Sequence, residues 1–394
     1  MPIRKPSIAE QGWALFDRIV ERATVDGHTS PWTAEGAVVT YRPDFETLRL
    51  LLGVPLHLGA NSQSGVPALA LDVWIAYELR RAGFDPDAVW PRESDPRIMP
   101  AALAALLEAT PVRGGERARL EERIRISGSR SGLVAGKAKI LGKNYEKQVD
   151  VVLSDWRTGP EMLISTKRMD SSFGKNAANR VEESYGDAKN LRLRHPLASL
   201  GFVFGLRTTI YEKEAAKAAW LIDLLGKLGQ EDDAYDAVAL VLMEYAQDPP
   251  ADGDDVNEPE TGPDAGSDAS EDLPDSTAGA APATDALDVS GDDDQLFALD
   301  APGSAPVADP AATQAAERAE ERAAERAELD AAIAALPPVS IVLDDRVPDE
   351  LHPARFLRAM VERTLAITPV DHHERARALL DAARREARQA ATHG

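Results

Sequence analysis

Apolar positions along this chain recur with two periods, and the changes of period mark out an order of elements. Over residues 66–82, Leu69, Val73, Ile75, Ala76 and Leu79 fall at roughly helical spacing, with Ser64 as candidate N-cap and Gly83 just past the last turn. Residues 100–124 are mostly of helical type. Apolar runs at 137–141, 148–154 and 161–166 read as three strands, the last two joined by the turn Arg157-Thr158-Gly159-Pro160. A polar stretch at 171–176 leads into a helix over about 176–191, then a strand at 197–206 and a helix at 212–228. The order α, β-β-β, α, β supplies helices for both faces of a sheet. The predicted class is α/β with a mixed central sheet.

Beyond this region, residues 235–245 and 339–343 are apolar runs of strand length, although the first also suits a short helix. Two helical patterns follow, at 353–366 and 371–390. Between the two runs, residues 248–310 hold 18 acidic residues and no Lys or Arg. Such a stretch cannot bury enough apolar surface to offset its ordering entropy and reads as disordered. Residues 311–335 are rich in Ala, Glu and Arg, which favours an exposed helix, ended by Pro337-Pro338. The preferred reading lets residues 248–336 interrupt one domain between two strands. The alternative places a boundary near 248, with a small separate C-terminal domain.

Composition narrows the chemistry. Without cysteine the chain has neither a disulfide framework nor a thiolate metal site. Its formal charge of −22 is unevenly spread: residues 1–247 carry 32 Lys and Arg against 33 Asp and Glu, residues 248–394 carry 12 against 33. The first part is nearly neutral and free to carry local basic patches. The N-terminus lacks an apolar signal core and the longest apolar runs, such as 238–243, are too short to span a bilayer. A cytoplasmic protein with no membrane partner is expected. Walker A, GxGxxG, HExxH and GxSxG patterns are absent. His372-His373, at a helix start with no acids at metal spacing, reads as a surface pair.

Asp150 carries the chemical signal. It lies in an apolar strand between Val149 and Val151, where a carboxylate is costly unless paired or bound to a metal. Lys167 closes the next strand, and a hairpin brings both to one end of the sheet. A carboxylate that binds Mg²⁺ beside a lysine that orients water or steadies phosphate charge suits phosphodiester hydrolysis.

This arrangement, with Asp on the second strand of an α-βββ-α-β order and X-x-Lys on the third, resembles the PD-(D/E)XK nuclease superfamily, best known from type II restriction endonucleases. The resemblance covers roughly residues 66–210. It implies a restriction-endonuclease-like fold, with residues 1–247 as the nuclease domain and residues 337–394 packing on it. It further implies a Mg²⁺-dependent deoxyribonuclease (Mn²⁺ able to substitute) that cuts double-stranded DNA at specific sites, as in restriction or anti-phage defence. One feature departs from the pattern: Ser165 stands where the family has an acid two residues before the lysine. A subset of restriction enzymes carries that acid on the following helix, where this chain has Glu182 and Glu183. With Ala178, Val181, Tyr185 and Ala188 taken as the buried stripe, Glu182 lies about 80° from its centre and Glu183 nearly opposite. The expected site is therefore Asp150, Lys167 and Glu182, with Ser165 in the vacated position. Glu78 matches an extra metal carboxylate of the family but also suits a solvated face; Glu146 reads as a surface residue of the hairpin.

DNA contacts are expected from Lys137, Lys139, Lys143 and Lys147 on the preceding hairpin, from Arg168, and from Ser171, Ser172, Lys175, Asn176, Asn179 and Arg180. An ion pair between Arg180 and Glu183 competes with the DNA reading of Arg180. Cutting two strands with one kind of site implies a homodimer, and the resemblance admits a cognate methyltransferase. Two alternatives remain: a nuclease subunit of a larger defence or repair complex, or a catalytically degenerate fold that binds DNA.

Overall fold

The computed structural model describes residues 5–112, 115–131, 134–171, 173–246 and 310–393; of 63, 125–131, 174–176, 178, 310–318 and 393 it describes the backbone only. The acidic stretch 248–309 lies outside them. The chain divides into two compact units, residues 1–256 with 326–394 and residues 257–325. Described parts of the second unit belong to a helix.

The first unit is α/β, built on a mixed six-stranded sheet. Its strands, in chain order, include a hairpin apart from the sheet, β1 (Trp32–Glu35) and β2 (Val38–Tyr41), and a short β3 (Val89–Trp90). A second hairpin follows, β4 (Ala138–Leu141) and β5 (Glu146–Val149), then β6 (Val151–Asp155), β7 (Gly159–Met169), β8 (Ser199–Arg207), β9 (Ala237–Glu244) and β10 (Ser340–Val342). The sheet order is β10-β9-β8-β7-β6-β3, with β7, β8 and β9 parallel and the other pairings antiparallel. Thus β10, beyond the acidic stretch, pairs with β9, before it.

Helices cover both faces. They are α1 (Ile8–Ala23), α2 (Phe45–His57), α3 (Val66–Arg81), α4 (Ala101–Ala109), α5 (Glu116–Ser131), α6 (Phe173–Arg194), α7 (Thr209–Lys213), α8 (Ala215–Leu228), α9 (Pro310–Ala334), α10 (Pro353–Ile367) and α11 (Glu374–His393). Because side chains alternate along a strand, Val151, Leu153, Met162, Ile164, Val203 and Val241 join one core with α1, α2, α3, α10 and α11. Val152, Leu163, Phe202, Phe204, Leu240 and Leu242 join a second core with α6 and α8.

Local differences from the sequence reading have physical causes. Gly65, at φ +73°, rather than Ser64, caps α3; Ser64 ends a single turn of 3-10 helix (Ser62–Ser64), capped by the Asn61 side chain. The strand expected over 148–154 breaks at Asp150: β5 pairs with β4, whereas β6 pairs with β7. The helix expected over 100–124 is two helices, α4 and α5.

Asn190 is one of the side chains that fasten the β4–β5 hairpin to α6. Asn190 accepts from the Asn144 backbone N–H at 2.8 Å and donates to the Tyr145 carbonyl at 3.0 Å. A Cβ at Gly142 would lie 2.1 Å from Asn190 Nδ2. Gly142→Ala is therefore expected to push Asn190 out and destabilise the protein by about 2–3 kcal/mol, read as a lower urea midpoint with an unchanged slope.

Candidate active site

Four elements converge where β6 and β7 meet. Residues 165–167 near the end of β7 alternate in direction: Thr166 faces α3, while Ser165 and Lys167 face α6. Asp150 sits at the break between β5 and β6. Its Oδ2 accepts the Thr166 N–H at 2.8 Å, so the carboxylate takes the place of a backbone carbonyl in the ladder. On the other face, the Thr166 hydroxyl donates to Asp72 Oδ1. Thr166 thus holds two carboxylates, one through its backbone and one through its side chain. No described hydrogen bond reaches the second oxygen of either acid.

The two carboxylates influence each other. Burial pushes the Asp72 carboxyl well above its ordinary range, and the nearby Asp150 charge adds to the effect. Burial likewise raises Asp150, against the pull of the Thr166 N–H, Lys167 and Lys147. Charges on buried Asp72 and half-buried Asp150 repel each other, a repulsion that a shared proton or a cation would relieve. Their hard oxygen donors suit Mg²⁺ rather than a softer transition metal.

On the α6 side a mixed ionic chain runs away from the pair. Lys167 Nζ lies 3.5 Å from Glu183 Oε1, and Lys147 Nζ bridges Glu183 at 3.3 Å and Asp187 at 2.5 Å. Arg180 adds a 4.0 Å contact to Glu183. Burial would raise the Glu183 carboxyl, but Lys167, Lys147 and Arg180 outweigh it and hold the group low. Tyr145 donates to Asp187 at 3.2 Å. The Tyr235 hydroxyl donates to the Ser184 carbonyl at 2.9 Å and is hydrogen-bonded with Ser165.

The sequence-predicted residues fare differently. Asp150, Ser165 and Lys167 come together here. Glu182 is exposed, and Glu183 rather than Glu182 meets Lys167. The cause is a rotated buried face: Tyr185, counted in the stripe, is 36% exposed, whereas Ser184 and Asp187 are buried. That rotation turns the flank carrying Glu183 and Asp187 toward the sheet end. Glu78 is not at the site. Its carboxylate accepts from Arg81 at 2.8 and 2.9 Å, from the Asp44 N–H at 2.6 Å and from Tyr41 at 3.1 Å. Arg168 is likewise withdrawn from a DNA role: its side chain is buried, paired with Asp170 at 2.8 Å and donating to the Pro67 carbonyl at 3.2 Å. Lys137, Lys139, Lys143, Glu146 and Asn179 are exposed, and Ser171 is half-buried. Ser172 and the side chains of Lys175 and Asn176 lie outside the described residues.

Sequence reasoning missed Asp72. The signal was present: it is the only charged residue in the apolar run 66–77, and six residues on a helix separate its direction from that of Glu78 by about 120°. No protein-family model, curated protein or solved structure matches this chain. Among the described residues no helix is long and apolar enough to cross a membrane.

Proposed function

We propose that the chain is a Mg²⁺-dependent nuclease acting on double-stranded DNA, in the manner of a restriction endonuclease. The observation that carries this reading is the pair of carboxylates, buried Asp72 and half-buried Asp150, both held by Thr166 with Lys167 beside them. A cation held by Asp72 and Asp150 supplies Lewis-acid stabilisation of charge on a phosphoryl oxygen. Lys167 donates to the attacking water or to a non-bridging phosphate oxygen. Water adds to phosphorus and gives up a proton to solvent, one P–O ester bond breaks, and the departing oxygen takes a proton from solvent. Glu183 keeps the Lys167 ammonium oriented, and Lys147 with Asp187 anchors Glu183 in turn. The exposed Lys137, Lys139 and Lys143 supply phosphate contacts along the approach.

In this reading the protein acts as a homodimer, one copy per strand. The competing reading is a DNA-binding fold that has lost catalysis. It draws on Ser165, engaged with Tyr235 where the family has an acid, and on Lys167 already paired with Glu183. Incubating the purified protein with mixed DNA and Mg²⁺, then sequencing the ends, separates the two. Recurrent ends at defined sequences are expected, and a Lys167→Ala variant should lower the cleavage rate about 10²-fold or more while melting at the wild-type temperature. DNA binding without new ends would favour the inactive module.

A further inference from the structure

A second cluster of metal-type ligands lies at the opposite end of β7. Glu161, near the start of that strand, faces His372 and His373, the two residues before α11. Glu161 Oε2 is 2.8 Å from His373 Nε2, and Glu161 Oε1 is 3.7 Å from His372 Nδ1. Among the described residues these three form the one group of His and acidic side chains whose ligand atoms all lie within 4.8 Å of one another. The two histidines thus offer different ring nitrogens to the same point.

We infer that Glu161, His372 and His373 bind a first-row transition-metal ion, Zn²⁺ by preference, which ties the α10–α11 turn to β7. Two imidazole nitrogens and one carboxylate make a three-ligand set of the kind that holds zinc tetrahedrally with a fourth position open. Metal–ligand bonds of about 2.0–2.1 Å put tetrahedral ligands roughly 3.4 Å apart, and one ligand atom from each of the three residues lies within 4.8 Å of the others. The ligands are supported by their surroundings. Thr158 donates to Glu161 Oε1 at 2.7 Å, fixing the carboxylate. Phe84 packs edge-on against His373 with ring centroids 5.0 Å apart. His373 itself is held at φ +56°, a left-handed conformation that turns its ring back toward the strand. All three side chains are largely buried, so their polar atoms face one another rather than water.

This site is independent of the carboxylate pair and stands whether or not the nuclease reading does. The test uses the full chain, stripped with a chelator and titrated with Co²⁺ as a spectroscopic stand-in for Zn²⁺. One equivalent is expected to give the visible absorption of tetrahedral Co²⁺, lost on adding Zn²⁺, and Zn²⁺ is expected to raise the melting temperature of Asp150→Asn as it does that of the wild type. The absorption should vanish in Glu161→Gln and in His373→Asn; asparagine tolerates positive φ, so that variant keeps the backbone. Asp150→Asn should leave it unchanged. Uptake below one equivalent by the wild type, or a spectrum that survives both Glu161→Gln and His373→Asn, would overturn the assignment.

Discussion

Asp72→Asn is expected to abolish Mg²⁺-dependent cleavage while making the protein harder to melt. The loss should reach about 10³-fold, because removing one of two metal carboxylates forfeits about 4 kcal/mol of transition-state charge stabilisation. The gain in stability follows from the same residue. Its folded carboxyl titrates well above the ordinary value of 3.8, through burial and the proximity of Asp150. The folded state therefore holds the proton more tightly than the unfolded chain does. The stability it contributes is fully present below the unfolded value and is lost as pH rises through the folded value. Asparagine keeps the acceptor for the Thr166 hydroxyl and removes that titration. In the presence of chelator the variant should exceed wild type by about 1–2 kcal/mol near neutral pH, a rise of about 2–4 °C in Tm. The gap should widen as pH rises above the unfolded value of 3.8, measured by calorimetry. A variant less stable than wild type at all pH values would show Asp72 to be a structural residue.

Glu78, on the same helix, predicts the opposite outcome. Burial pushes its carboxyl up to about 7, against the pull of Arg81. Yet it accepts four hydrogen bonds, from Tyr41, Asp44 and twice from Arg81. Those bonds join α3 to the segment between β2 and α2. Glu78→Ala leaves the Arg81 guanidinium, 8% exposed, without its partner, a change that costs about 3–5 kcal/mol. The melting temperature should fall by roughly 10 °C. Below the new transition, cleavage should continue, since Glu78 touches none of Asp72, Asp150 or Lys167. Intact stability with lost cleavage would return Glu78 to the active site.

The contrast between these two acids shows what was legible in the sequence. Apolar spacing identified α3, the order of β6, β7, α6 and β8, and the approach of Lys167 to Asp150, because periodicity and an isolated charge in an apolar strand are local signals. Which acid of α3 faces the sheet depends on how the helix is rotated against its neighbours. That rotation is set by packing with α1, α2 and β7, contacts made by residues distant in sequence. The same holds for α6, where a buried stripe shifted by about one residue exchanges Glu182 for Glu183. The break of the strand at Asp150 was hidden because β5 and β6 are each good strand formers; only the two partners, β4 and β7, separate them. The pairing of Glu161 with His372-His373 lay beyond local reading altogether, since the residues are more than 200 positions apart.

The account turns on whether Asp72 and Asp150 together hold a divalent cation. Electron paramagnetic resonance of Mn²⁺ added to the protein with a DNA duplex reads this directly, as loss of the free-ion signal. In protein carrying Glu161→Gln, Mn²⁺ uptake beyond that of the duplex alone is predicted, competed by Mg²⁺ and kept when Glu78→Gln is added, and it should disappear when either Asp72→Asn or Asp150→Asn is added. Equal uptake with and without the two aspartate changes would contradict it.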